Sequence, residues 1–157
     1  MDTHKIEQLF HQYADDVFRL AMSYLGNRQD AEDICQSVFL KLLHKNVTLL
    51  PGKEKAWLLT CAANACKNHL RSFWVRNVTE LDQNLSLPSE DHYDLYRAVL
   101  KLPVIYRGVV HLYYYEGYDQ GEIAKILGIS RTAVQTRMNR ARAILRKELS
   151  CDEKDLL

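Results

Sequence analysis

The sequence predicts an all-α protein with two small helical lobes, an N-terminal helical bundle and a C-terminal helix-turn-helix, joined by a flexible acidic linker. Apolar residues recur at spacings of three and four along the chain, and no segment sustains the period-two alternation of a strand. Only three prolines and six glycines interrupt this pattern. The 157 residues are 47% hydrophobic, which is enough for a packed interior.

The first lobe, residues 1–76, is predicted to hold three helices. The first runs from Lys5 to Leu25 and ends at Gly26, which can supply the left-handed stop of a helix. Asn27 caps the second helix, and the third covers about 53–75. The predicted buried residues are Ile6, Leu9, Phe10, Tyr13, Val17, Leu20, Ala21 and Tyr24 on the first helix, Ala31, Ile34, Cys35, Val38, Phe39, Leu42 and Leu43 on the second, and Trp57, Leu58, Cys61, Ala62, Ala65, Leu70 and Phe73 on the third.

An acidic segment separates this lobe from a second one. Residues 77–94 contain no Lys or Arg and place Pro88 among serines and asparagines, which is typical of a linker. The second lobe covers residues 95–150, and residues 151–157 form a tail. Its predicted helices cover residues 95–102, 103–115, 120–127 and 131–149, with Pro103 in the first turn of the second and Gly117 following its end.

The net charge of +1 conceals an uneven distribution of charge. Residues 97–150 carry ten basic and four acidic side chains, whereas residues 77–96 carry five acidic side chains and no basic ones. A basic C-terminal lobe behind an acidic connector favours nucleic acid as a partner.

Residues 119–134 have the pattern of a helix-turn-helix. Asp119 and Glu122 form a capping box, Gly128 permits the tight turn, and Ser130 caps the second helix, on which Val134, Met138, Ala141 and Leu145 share a buried face. Six basic residues and no acidic ones follow between Arg131 and Lys147, as expected for a helix that lies against phosphates. The candidate DNA-contacting residues are Arg131, Thr132, Gln135, Thr136, Arg137, Asn139 and Arg140.

These segments resemble a bacterial RNA polymerase sigma factor of the sigma-70 family, in its extracytoplasmic-function (ECF) group. In the first lobe, residues 24–39 resemble the polymerase-binding helix pair of the family, and residues 56–59 resemble the start of its promoter-melting helix. In the second lobe, residues 102–103, 118–130 and 134–142 resemble its last region. Both sets in this order, across a short linker, are highly specific for the family.

The resemblance implies a non-catalytic subunit that binds core RNA polymerase and directs promoter-specific initiation. Four residues match the helix that docks on the clamp coiled coil of the largest polymerase subunit: Asp30, Asp33, Gln36 and Phe39. Seven residues match the part that recognises and opens the -10 element: Asn46, Lys53, Asn64, Lys67, Asn68, Arg71 and Arg76. The helix-turn-helix corresponds to the reader of the -35 element.

The resemblance also implies an anti-sigma factor as a partner. No cofactor, metal or small-molecule substrate is expected, and the absence of an apolar N-terminal block predicts a cytoplasmic chain. Some residues depart from the family pattern. Gln135 stands where the family often has lysine, Lys53 follows Gly52 where an aromatic residue is common, and residues 72–75 dilute the usual basic cluster. The promoter sequence is therefore left open.

The sequence leaves three other functions to consider. A stand-alone helix-turn-helix regulator would bind a palindromic duplex without polymerase. A metal or redox sensor could use Cys61, Cys66 and His69, but Cys61 lies about 140° around the helix from Cys66, which is poor ligand geometry. An enzyme is disfavoured because the sequence has no phosphate-binding glycine loop, no H-E-x-x-H motif and no nucleophile elbow.

Overall fold

The computed structural model describes residues 2–45, 47–76 and 93–153, with side chains described for all of these except 73–76, 93–96 and 148–153. Within this part of the chain there are seven α-helices and no β-strand, so the all-α prediction is confirmed. The helices form two compact units, Met1–Ser86 and Leu87–Leu157, called unit 1 and unit 2 below. Of the predicted linker and tail, residues 77–92 and 154–157 lie outside the described residues.

Unit 1 consists of three helices that pack against one another: α1 (Thr3–Leu25), α2 (Arg28–His44) and α3 (Glu54–Arg76). Gly26 ends α1 with a φ of 66°, a left-handed conformation that suits glycine. The Asn27 side chain then accepts a hydrogen bond from the Asp30 amide at 2.9 Å and starts α2. The predicted stop and cap are both confirmed.

The buried faces of unit 1 differ from the prediction on all three helices, and Tyr13 of α1, which was predicted to be buried, is half-buried. Phe10 and Leu43 were predicted to be buried, but their exposures are 42% and 50%. On α3, Leu58 and Ala62 are buried as predicted, whereas Trp57, Cys61, Ala65 and Leu70 are only half-buried. The other buried residues of this helix, Leu59, Ala63 and Cys66, were not predicted. Because α3 packs against both α1 and α2, its buried face is turned from the one that periodicity suggests. The Phe73 side chain lies outside the described residues.

Unit 2 consists of α4 (Tyr93–Leu100), α5 (Val104–Val110), α6 (Gln120–Leu127) and α7 (Arg131–Glu153). The predicted helix from Pro103 to Tyr115 is not uniform. Pro103 is the N-cap of α5, and after Val110 the backbone forms a π-helical turn over His111–Tyr115. The Glu116 amide donates to the His111 carbonyl at 3.2 Å and closes this wider turn. The spacing of apolar residues did not predict this π-helical turn. A π-turn contains one residue more than an α-turn, and the α-helical period used for the prediction does not include that extra residue.

An arginine fixes the connection between α4 and α5. The Nη2 of Arg107 donates to the Leu100 carbonyl at 2.8 Å, and its Nε donates to the Leu102 carbonyl at 3.0 Å. The last carbonyls of a helix have no partner within that helix. Arg107 supplies donors at the end of α4 and so keeps α5 in place beneath the helix-turn-helix.

Candidate functional sites

Six of the seven candidate DNA-contacting residues form one exposed face of α7. Val134, Met138 and Ala141 have no exposed surface and attach the helix to unit 2. Leu145, which was predicted to be buried with them, is half-buried. The exposed candidates are Arg131, Thr132, Gln135, Thr136, Asn139 and Arg140, and we call this set the α7 face. The face contains two cations, four hydrogen-bonding polar side chains and no carboxylate.

Two arginines of α7 take part in packing within unit 2. Arg137 is half-buried, and its Nη1 donates to the Ile105 carbonyl at 3.4 Å, so it lies apart from the α7 face. Arg142 donates from Nε to the Tyr114 hydroxyl at 3.2 Å, and its guanidinium lies 5.5 Å from the centre of the Tyr113 ring. The hydrogen bond to Tyr114 raises the pKa of Arg142. The predicted DNA contact of Arg137 therefore has to compete with a contact inside the unit.

The turn that presents the α7 face has the predicted caps. The Asp119 carboxylate accepts from the Glu122 amide at 2.8 Å, and the Glu122 carboxylate accepts from the Asp119 amide at 3.0 Å. Gly128 has a φ of 68°, and the Ser130 hydroxyl accepts from the Ala133 amide at 3.0 Å. The capping box thus starts α6, Gly128 ends it and Ser130 starts α7, so the turn between the two helices is defined by local contacts.

The four candidate polymerase-binding residues of α2 are not equally accessible. Asp33 and Gln36 are exposed. Asp30 is half-buried, and its Oδ2 lies 3.3 Å from Nε2 of His69 on α3. Phe39 is only 5% exposed, and its ring packs edge to face on Phe10 with 5.1 Å between ring centres. Phe39 is thus buried beneath the surface that exposes Asp33 and Gln36.

An apolar groove of about 400 Å³ lies between α1 and α2. Leu40 and Leu43, which are 48% and 50% exposed, form one wall, and Phe10 lies opposite. The residues that line this α1–α2 groove are Thr3, Ile6, Glu7, Phe10, Gln36, Phe39, Leu40 and Leu43. The sequence interpretation missed this site. The available clue was an apolar residue, Leu40, outside an already complete buried stripe.

Three of the candidate -10 residues form an exposed stripe along α3. Asn64, Asn68 and Arg71 are exposed and fall within about 60° around the helix axis; we call them the α3 stripe. Lys67 is half-buried, and Lys53 is exposed just before the helix begins. The structure therefore brings three of the seven residues together, while Asn46 and the side chain of Arg76 lie outside the described residues.

The described cysteines have the character of packing residues. Burial raises the pKa of the Cys66 thiol, and burial next to Asp15 and Glu32 raises that of Cys35 to about 11. Cys61 is half-buried, and its pKa is also raised by burial. Among the described residues, no group of three His, Cys, Asp or Glu side chains is arranged to hold a metal ion. His69, the third residue of the metal hypothesis, contacts Asp30 instead.

The two units match two known families in the same order. Residues 9–75 match sigma-70 region 2, and residues 92–145 match sigma-70 region 4. RNA polymerase sigma factor SigV of Bacillus subtilis is 32% identical over 149 residues, which cover 90% of this chain and 89% of that protein. The chain belongs to the sigma-70 family. ECF RNA polymerase sigma factor SigL of Mycobacterium tuberculosis is 30% identical over 155 residues, covering 90% of this sigma factor and 86% of SigL.

A solved structure shares the fold of this sigma factor. The sigma factor RpoE of Bartonella quintana, solved in complex with the anti-sigma factor NepR, has a TM-score of 0.81 and 22% identity. The match covers 94% of this sigma factor and 98% of RpoE. At that identity the likeness concerns the fold alone.

Membership in this family establishes the function at the level of the whole chain. The chain is an ECF sigma factor for promoter-specific transcription initiation. Sigma factors are initiation factors without an enzymatic activity of their own. None of the described helices is both long and apolar enough to cross a bilayer.

Proposed function

We propose that this sigma factor binds core RNA polymerase through α2 and the α1–α2 groove. Asp33, Gln36, Leu40 and Leu43 fall within about 80° around the α2 axis, so carboxylate, amide and apolar groups share one face. Asp30 stands at its edge. Such a face suits a helical partner with basic and apolar side chains, which fits the clamp coiled coil that the family resemblance implies. Phe39 contributes from below, as the floor of the groove.

The same unit contains the group that we propose for the -10 element. The α3 stripe offers two amides and a guanidinium, and Lys53 adds a positive charge before the helix. Amides can hydrogen-bond to base edges, while cations follow the backbone of a separated strand. We assign Asn46, Lys67 and Arg76 to this site from the sequence. Unit 1 would then bind polymerase through α2 and the melted strand through α3.

Unit 2 is the proposed reader of the -35 element, and the α7 face is the observation that carries this assignment. Thr132, Gln135, Thr136 and Asn139 are suited to base edges in the major groove, and Arg131 and Arg140 to phosphates. The proposed boundaries are residues 1–76 for the first functional lobe, 77–94 for the linker, 95–150 for the second lobe and 151–157 for the tail.

Transcription with purified core polymerase tests the proposal. We expect the chain to give specific start sites and Asn139→Ala to change the -35 preference by about 1–3 kcal/mol at one position. Arg140→Ala should weaken binding to all promoters and reduce the slope of affinity against salt by about one, whereas Arg140→Lys should retain that slope. Absence of promoter-specific transcription on adding the chain to core enzyme would contradict the proposed function.

We further propose that the chain acts in the cytoplasm, makes no catalytic contribution itself and is restrained by an anti-sigma factor. These assignments rest on membership in the family, and RpoE of Bartonella quintana, which shares the fold, was solved with such a protein. An inhibitor that covers the α1–α2 groove should compete with core polymerase. Leu43→Glu would then weaken both complexes, which can be measured by titrating each partner against the labelled chain.

A further inference from the structure

A contact between two helices of unit 1 involves a side chain of the proposed docking face. The His69 Nε2 on α3 lies 3.3 Å from the Asp30 Oδ2 on α2, and the two side chains are 38% and 39% exposed. The Asp30 amide is also held at 2.9 Å by the Asn27 cap. The Asn27 cap thus places the start of α2 with the Asp30 carboxylate within reach of His69.

His69 itself lies outside the group proposed to bind DNA. It is turned about 100° around α3 from Asn68 and further from Asn64 and Arg71, and its ring contacts α2. Asp30 is turned about 60° around α2 from Asp33, at the edge of the docking face. The contact thus joins the docking face to a histidine that has no place in either proposed interface.

We propose that His69 competes with core polymerase for the Asp30 carboxylate and thereby lowers the affinity of the free chain for polymerase. The inference rests on the proposed docking role of Asp30. The His69 contact at Oδ2 uses part of the acceptor capacity of the Asp30 carboxylate, so a basic side chain of the partner gains less by binding it than it would gain from a carboxylate without that contact. Removing the competitor should therefore strengthen docking, although it removes a contact from the folded chain.

Core affinity of His69 variants tests this inference. His69→Ala should tighten the complex about two- to fivefold, the range expected for an exposed pair of this kind, and His69→Gln should act in the same direction. His69→Arg should weaken the complex with core polymerase, because a guanidinium is always charged and can donate two hydrogen bonds to the Asp30 carboxylate. The measurement is a titration of core polymerase against the labelled full chain.

Two further variants separate competition from a merely structural role. Lys55→Ala removes another contact between helices, the 3.9 Å pair of Lys55 with Asp16 of α1, and should leave core affinity unchanged. In an Asp30→Ala chain, changing His69 should no longer affect affinity. If Asp30→Ala weakens the complex but His69→Ala does not tighten it, the competition is refuted while the docking proposal stands. If Asp30→Ala leaves affinity unchanged, the docking role of Asp30 and the competition both fail.

Discussion

The two units of this sigma factor are held together in different ways. In unit 1, fully buried leucines such as Leu9, Leu20 and Leu42 join the three helices, and ion pairs such as Lys5 with Glu54 lie around them. In unit 2, arginine side chains also cross-link elements, as Arg107 does at the α4–α5 connection and Arg142 at Tyr114. The number of arginines in unit 2 therefore overstates the number available to DNA.

The proposed interfaces of the two units also differ in the chemical groups that they expose. The docking face of α2 in unit 1 combines carboxylates with exposed leucines, a chemistry that suits a protein partner, whereas the α7 face of unit 2 offers cations and polar groups without a carboxylate. The contrast shows how one short chain could bind both a protein and a nucleic acid: the acidic and apolar groups lie on one helix, and the basic and polar groups lie on another.

The largest expected effect concerns the apolar core of unit 1. Leu20 is fully buried, and Leu20→Ala should lower the free energy of unfolding of this unit by about 3–5 kcal/mol. Both tryptophans, Trp57 and Trp74, belong to unit 1, so their fluorescence during urea unfolding reports this change. Leu112→Ala in unit 2 is the matched control. A shift of the fluorescence transition in the control would show that the units do not unfold separately.

The polar cross-link of unit 2 should give the next largest effect. Arg107→Ala removes two hydrogen bonds from a charged donor and should cost about 2–3 kcal/mol, limited to unit 2. Faster hydrogen exchange of the amides in α5 and α6 would report it. Arg140→Ala, which removes an exposed arginine from the same unit, should leave exchange unchanged. Equal effects of the two variants would contradict the division between packing arginines and exposed arginines.

The capping box of α6 should contribute less to the stability of unit 2 than the Arg107 hydrogen bonds do. Asp119→Ala should destabilise unit 2 by about 1 kcal/mol, because the Glu122 amide loses its acceptor. Asp119→Asn retains an acceptor oxygen and should recover most of the loss. Thermal unfolding followed by circular dichroism measures both variants. If the two substitutions cost the same, the charge of Asp119 matters more than the cap.

The smallest expected effect concerns the rates at which the three thiols of unit 1 are labelled in the unchanged chain. Only the thiolate reacts with iodoacetamide. Burial raises the pKa of Cys35 to about 11, and burial also raises the pKa of the Cys66 thiol. At neutral pH both should remain protonated and react slowly, and half-buried Cys61 should react first of the three. Labelling of Cys35 should accelerate as the pH rises towards 11. Mass spectrometry gives the order, and rapid labelling of Cys66 would contradict its burial.

Much of the fold followed from local sequence. The stop at Gly26, the cap at Asn27, and the capping box and turn of the helix-turn-helix depend on residues within a few positions of one another, and all are confirmed. The site residues are a different case. The accessible α7 face followed from helical periodicity, whereas the α1–α2 groove did not, because its exposure depends on which neighbours fail to cover Phe10 and Leu43.

The sequence by itself determined the helical class, the order of the two units, the helix caps and the family. These features depend on short-range periodicity, local hydrogen bonds and motifs, all of which involve residues close together in the chain. Only the tertiary structure decided which arginines are engaged in packing, which apolar residues remain exposed, and that Asp30 meets His69 across 39 positions of chain. These depend on contacts between distant segments, and spacing within one helix carries no information about what packs against it.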